Sequence, residues 1–354
     1  MGIFNVLVIM MSVASCSKES AGPVTPTCPE PEPRMAGSIR VAGFAYMVVD
    51  MADDKTSLLV RDYSRQLIVV GVQNNERLYT LEVPDLLPSD ETFWTLAGSG
   101  FLGHSSDSIF ASCLVRRSNG DTASRNYVVN IRTGSVSEIR PSRCLENGWD
   151  PVLKSWFYVY SIERLPNRTL LVSTNDLRYD YANDTFLDEE ISDPRGGHLY
   201  FYKRTWLSGY LVGRSGWFRG PGQDSISLVV DGKSFEMSQL VSDMYVQSSI
   251  RGTDYVILDV IPNRYASSSG KGWGPELWVV DVGRLLRDKS ISNAIVVKRN
   301  LHEAYCSLAT LGLYAYAYDL DHVYISMHQD GEYVQIPFRI SLSSPTFKSP
   351  ITFR

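Results

Sequence analysis

Almost nowhere in this chain do apolar residues recur at helical spacing. In their place stand short runs rich in Val, Ile, Tyr and Phe, separated by clusters of Gly, Asn, Asp and Ser. That is the pattern of strands joined by turns. Leu67-Ile68-Val69-Val70 is followed in this way by Leu78-Tyr79-Thr80-Leu81, and Tyr127-Val128-Val129-Asn130-Ile131 by Val136-Ser137-Glu138-Ile139. Leu199-Tyr200-Phe201-Tyr202, Ile226-Ser227-Leu228-Val229-Val230, Leu277-Trp278-Val279-Val280 and Val323-Tyr324-Ile325-Ser326-Met327 read as further strands. The 20 tyrosines suit half-buried pleated surfaces. Only 237–244 and 283–288 look locally helical. The fold class that follows is all-β.

Several segments share a looser order. Residues 127–136 run as an apolar strand, an Asn at its end, a turn closed by Gly134, and a second strand. Residues 277–283 open the same way and insert a longer connection before Ala294-Ile295-Val296-Val297. Residues 101–112 read as strand, polar turn, strand. From Val69 to Val128, and from Val229 to Val279 to Val334, comparable positions recur about every fifty to sixty residues. These hairpins resemble the inner-to-outer strand hairpins of β-propeller blades. The resemblance implies a β-propeller of about six or seven degenerate blades, with a β-sandwich or a two-domain β assembly as the alternative. No WD or kelch signature accompanies it; Trp149-Asp150 stands alone.

The N-terminus says where such a domain would work. An apolar run, 3–11, broken only by Asn5, is followed by Val13-Ala14-Ser15-Cys16. An apolar stretch of about ten residues ending in small residues is an export signal, too short to span a bilayer. Val13-Ala14-Ser15-Cys16 resembles the lipobox of bacterial lipoproteins. That implies removal of a signal peptide, 1–15, and a diacylglycerol on the Cys16 thiol. Residues 16–35 then read as a lipid-anchored tether, because five prolines in 23–33 favour extended polyproline II. Residues 36–354 remain as a single large β domain. The expected location is the bacterial cell envelope, on a lipid anchor in the outer membrane, facing the periplasm or the surface.

Residues 1–15 carry no ionisable side chain, so the mature protein keeps the net balance of −5. Slight acidity with both signs interspersed argues against general nucleic-acid affinity. Cys28, Cys113, Cys144 and Cys306 follow the anchor, and an exported compartment permits disulfides. Four cysteines allow three pairings. Cys113 with Cys144 is favoured, since about thirty residues separate them within one β unit, leaving Cys28 with Cys306. No C-x-x-C occurs, which removes a zinc ribbon or a thioredoxin-like pair.

The motifs that carry chemistry are thin. Gly98-Ser99-Gly100-Phe101-Leu102-Gly103 matches G-x-G-x-x-G, but a turn and a β-like run follow where a dinucleotide site needs a helix. It reads as a β turn. No G-x-S-x-G or H-E-x-x-H is present, and the five histidines are dispersed. Between 176 and 193 lie Asp176, Asp180, Asp184, Asp188, Glu189, Glu190 and Asp193. Hard oxygen ligands in a loop would admit calcium, although the EF-hand order is missing. No cofactor is otherwise expected. A pair of these carboxylates could also do glycosidase-type work at the right separation.

Two irregular stretches, 213–222 and 267–275, combine glycine, a cation and tryptophan. Aromatics beside Arg on irregular backbone suit binding by stacking and cation–π contact. Arg214, Trp217, Arg219 and Trp273 are therefore expected on one ligand-binding face. The bland reading is a buried Trp and a solvated Arg. The leading functional expectation is an exported, lipid-anchored binding or scaffold module for a protein or glycan ligand, more a binder than an enzyme. One alternative is a propeller-type carbohydrate hydrolase or lyase. The other is an accessory subunit of an outer-membrane complex, resembling the propeller lipoproteins that assist barrel assembly.

Overall fold

The computed structural model describes residues 46–62, 65–173, 177–187, 191–192, 198–218, 224–263, 276–300, 314–328, 335–344 and 348–350. The segments expected as signal and tether, with Cys16, Cys28 and Cys306, lie outside the described residues. Six sheets of four or five antiparallel strands, each drawn from one contiguous stretch of chain in simple up-and-down order, form the six blades of a β-propeller. The blades span 46–82, 91–138, 159–187, 191–236, 241–300 and 314–350. Their inner strands are Tyr46–Met51, Glu91–Phe101, Val159–Leu165, His198–Leu207, Val241–Ser249 and Tyr314–Ala317. Each inner strand touches the next around a closed ring. The sandwich and two-domain alternatives are not adopted, and the blade number is six.

Burial explains why the middle strands were the most legible. A second or third strand is covered on both faces, by the blades before and after it. In blade two, Ile109, Ala111, Cys113 and Val115 pack with blade one, while Phe110 points the other way into a cluster with blade three. Such strands read as continuous apolar runs rather than alternating ones. Outer strands face solvent: Val136–Glu138 is exposed throughout. Inner strands border the channel and admit polar residues, including Ser99, Glu163, Arg164, Gln247 and Ser248.

Among the described residues blade six draws all four of its strands from 314–350, and the ring closes by packing. Val48, Met51, Leu58 and Val60 of blade one form a cluster with Tyr316 and Tyr324. Both tyrosines also donate to blade one or its edge, Tyr316 Oη to the Val49 carbonyl and Tyr324 Oη to Val72 O at 3.0 Å.

The expected helix at 283–288 is present as Val282–Asp288. Asp281 caps it by accepting from Arg284 N at 2.7 Å. The other helix-like segment, 237–244, is a turn followed by the blade-five inner strand. A β-bulge between Val241 and Asp243 shifts the alternation by one residue. Met237, Val241 and Met244 thus share one buried cluster at helix-like spacing.

The G-x-G-x-x-G segment divides between strand and turn. Gly98 and Gly100 lie in the blade-two inner strand, and only Gly103, at φ +94°, lies in the turn. A Cβ on Gly98 would sit 2.3 Å from Val159 O, so glycine is required where two inner strands cross closely.

Candidate binding site at the central channel

Around the propeller axis the inner strands of all six blades line a partly open cavity, in which water centres can occupy about 100 Å³. Five inner strands contribute from their second halves: Val49, Asp50 and Met51; Ser99 and Gly100; Thr205 and Leu207; Gln247 and Ser248; and Tyr316. Blade three contributes along most of its inner strand, from Tyr160 to Arg164. The cavity therefore sits toward the end of the channel where inner strands turn into second strands.

Arg164 organises this end. A guanidinium has five N–H groups in a fixed fork, and all five are engaged. Nε donates to Asp53 Oδ1 at 3.0 Å. Nη1 donates to Asp50 Oδ2 at 2.6 Å and Phe101 O at 3.3 Å, and Nη2 to Asp50 Oδ1 at 3.1 Å and Met51 O at 3.2 Å. Burial opposes its charge, but Asp50 and Asp53 more than offset this and hold its pKa above the ordinary arginine value. One side chain thereby ties blades one, two and three together. Asp50 is equally committed, since it also accepts from Met51 N and Phe101 N, each at 2.8 Å. Asp53 is bridged onward to His104, whose Nδ1 lies 2.7 Å from Asp53 Oδ2 and whose Nε2 lies 2.9 Å from Leu165 O.

Lys55 is different. It lies in the turn between the first two strands of blade one, in left-handed backbone at φ +61°, with its N–H donated to Ala52 O at 2.8 Å. Its side chain crosses to blade five, where Nζ donates to Ser248 Oγ at 3.3 Å. Only 6% of the residue is exposed. Burial lowers its pKa to about 8; Asp53, Asp50 and Asp54 pull the other way, and Arg164 adds to the lowering. No described carboxylate lies within ion-pair distance of Nζ, although Lys55 is buried among charges. Ser99 Oγ, in the cavity wall, is buried without a hydrogen-bond partner among the described residues.

Neither any protein-family model nor any curated protein sequence matches this chain. Solved structures do share its shape. The β-propeller domain of the Trilobed protease from Pyrococcus furiosus, described as having an open velcro topology, is 13% identical with a TM-score of 0.41, over 87% of this chain and 98% of that one. An oligogalacturonate lyase from Vibrio parahaemolyticus is 12% identical with a TM-score of 0.43, over 81% and 74%. The β-propeller domain of Cps50 (Swd1) from Myceliophteria thermophila is 11% identical with a TM-score of 0.41, over 84% of each chain. These are likenesses of fold, and no ligand or activity follows from them.

Of the residues expected on a binding face, Arg214 is held in place. It forms an ion pair with Asp243 at 2.8 Å and stacks over the Tyr245 ring, with its guanidinium carbon 5.3 Å from the centroid. It thus bridges blade four to the inner strand of blade five. Trp217 lies on the strand Tyr210–Phe218, with its side chain outside the described residues, as are Arg219 and Trp273. The described strands flanking 219–223 and 264–275 are the second and third strands of blades four and five. Strand direction therefore brings those ends to one rim, opposite the cavity end.

Cys113 and Cys144 are not joined; both are buried thiols. They lie on opposite sides of blade two: strand alternation turns Cys113 toward blade one, whereas Cys144, in the connection after the blade, packs with Phe110, Phe157 and Tyr179. Burial pushes each thiol up to about 12.

In the acidic stretch, Asp180 accepts from Ala182 N and from Asn183, and Asp184 accepts from Ser142 N and Tyr179 Oη. Those bonds fix turns. Among the described residues no group of three metal-ligating side chains occurs. Asp176, Asp188, Glu189, Glu190 and Asp193 lie outside them.

The cavity residues Asp50, Asp53, Lys55, Ser99, Arg164, Gln247 and Ser248 were not anticipated. One signal was available: Glu163-Arg164 interrupts an otherwise strand-like run, 159–165. A charged pair inside a strand must find buried partners, and in a propeller the channel is where several blades can supply them.

Proposed function

We propose that this protein is an exported, lipid-anchored binding module of a bacterial envelope, and that its propeller takes ligand into the central channel. One observation carries the binding part: a cavity lined by all six blades contains the buried Lys55 ammonium, with one hydrogen-bond partner among the described residues, and Ser99, whose hydroxyl has none among them. A channel mouth is where residues distant in sequence converge on one small volume. Val13-Ala14-Ser15-Cys16 and the proline-rich 23–33 support the anchored location.

The hydrolase or lyase alternative needs convergent carboxylates free to exchange protons. Asp50 and Asp53, the carboxylates of the cavity wall, are instead clamped by Arg164. Binding is therefore the reading supported best. Pull-down from bacterial envelope extracts and glycan-array capture by the mature protein test it, alongside Ser161→Trp, which fills the cavity from blade three. Capture by the wild type and its loss in a folded Ser161→Trp variant is the expected result. Equal capture by both proteins would move the ligand off the channel.

A further inference from the structure

We infer that the channel cavity is a site for a small hydroxylated carboxylate, anchored by the Lys55 ammonium, with the Ser99 hydroxyl in the same wall. This deepens the channel-binding reading and rests on it. Four charged side chains line the cavity: Asp50, Asp53, Lys55 and Arg164. Three are mutually satisfied, because Arg164 gives all five donors to Asp50, Asp53 and two carbonyls. Lys55 is the exception. An ammonium carries three donors, and among the described residues one bond is made, to Ser248 Oγ, which itself donates to Ser249 O. A buried cation without a carboxylate partner is costly, and an anion placed against Nζ removes that cost.

The rest of the wall selects among anions. Asp50 and Asp53 stand in the same wall and oppose a second negative charge, so a monoanion is favoured over a dianion such as phosphate. Ser99 Oγ has no partner among the described residues, and Thr205, Ser161 and Gln247 add polar groups around the same space. Such a lining matches ligand hydroxyls better than an alkyl chain. A cavity of about 150 Å³ holds a benzene-sized molecule, so this partly open volume of about 100 Å³ takes the carboxylate and nearest hydroxyls of a sugar acid, whose far end extends through the open side.

The test is isothermal titration calorimetry of the full chain, solubilised in detergent, with glucuronate as the probe. Glucose serves as the uncharged counterpart, acetate as the carboxylate without hydroxyls, and inorganic phosphate as the dianion. Glucuronate should bind at least tenfold more tightly than the other three, and Lys55→Met should remove that margin while leaving glucose unchanged. The wild type supplies an independent reading at pH 8, where an anion on Lys55 should draw a proton onto the amine. The binding enthalpy should then vary with the buffer's ionisation enthalpy, with the sign of proton uptake.

Equal affinities for glucuronate and glucose, binding without proton uptake, or a full margin in Lys55→Met would each overturn the inference. Failure of every probe would overturn it as well. If envelope capture still depended on an unfilled channel, the channel-binding reading would stand without it.

Discussion

Replacing Asp259 by Asn should stabilise this protein at neutral pH and leave its relative stability unchanged near pH 4. Asp259 sits on the second strand of blade five, opposite Tyr245 on one side and Leu277 on the other. Leu277 belongs to the core shared with blade six, and cross-strand partners share a face, so the carboxyl points into that interior. It is 6% exposed, and its Oδ1 has no hydrogen-bond partner among the described residues. Burial, and then the nearby Asp243, push its pKa from 3.8 up to about 8.

The sign follows from proton linkage. Between those two values the folded state holds a proton that the unfolded state has lost, so stability falls as pH rises through the interval. At about 1.4 kcal/mol per unit, the interval sets a ceiling of about 6 kcal/mol on the destabilisation. Local relaxation brings the expected gain of Asn to about 2 kcal/mol, within the usual range for a point substitution. For a domain of this size that is roughly 3–4 °C in melting temperature. Differential scanning calorimetry of both proteins from pH 4 to pH 9 measures it. The difference should grow through the interval and level off above pH 8. A difference independent of pH would refute the placement of a protonated carboxyl in this interior.

Arg164→Met should cost about 3–5 kcal/mol in denaturant unfolding, because it strands two buried carboxylates, and adding Asp50→Asn should recover part of the loss. Cys113 and Cys144 should resist a thiol reagent in the native protein at pH 8 and label fully after unfolding without reductant; a labelled yield near zero would mean a bridge. Cys16→Ser should release the protein from membranes with a mild salt wash, whereas continued need for detergent would rule out the lipid anchor.

The architecture was legible wherever strands are covered on both faces. Leu67-Ile68-Val69-Val70 and Leu277-Trp278-Val279-Val280 could be little else, and the Asn130–Gly134 turn was readable from its chemistry. There Asn130 Oδ1 accepts from Arg132 N and Thr133 N, each at 3.0 Å, and Gly134 takes φ +70°. The period was less regular than it looked, because blades differ in their insertions. The hairpin of Trp149–Asp150 with Ser155–Trp156 separates blades two and three, and the helix Val282–Asp288 lengthens blade five.

The candidate site was hardly legible at all. Asp50, Lys55, Arg164 and Ser248 come from three different blades, and nothing local links Lys55 to a serine 193 positions away. Sequence reasoning turned instead to glycine- and tryptophan-rich connections, whose flanking described strands end at the opposite rim. The disulfide expectation failed for a related reason. Spacing placed Cys113 and Cys144 in neighbouring elements, but strand alternation turns Cys113 toward blade one while the connection carrying Cys144 packs on the blade-three side.

Hydrogen-exchange mass spectrometry of the mature protein, with and without its captured envelope ligand, tests channel binding most directly. Added protection should concentrate in the peptides that line the cavity, 47–55, 97–101, 159–165, 204–208 and 246–249. Outer strands such as Lys233–Glu236 and Ile295–Asn300 should exchange as before. Protection on those outer strands, with the inner strands unchanged, would contradict a ligand held in the channel.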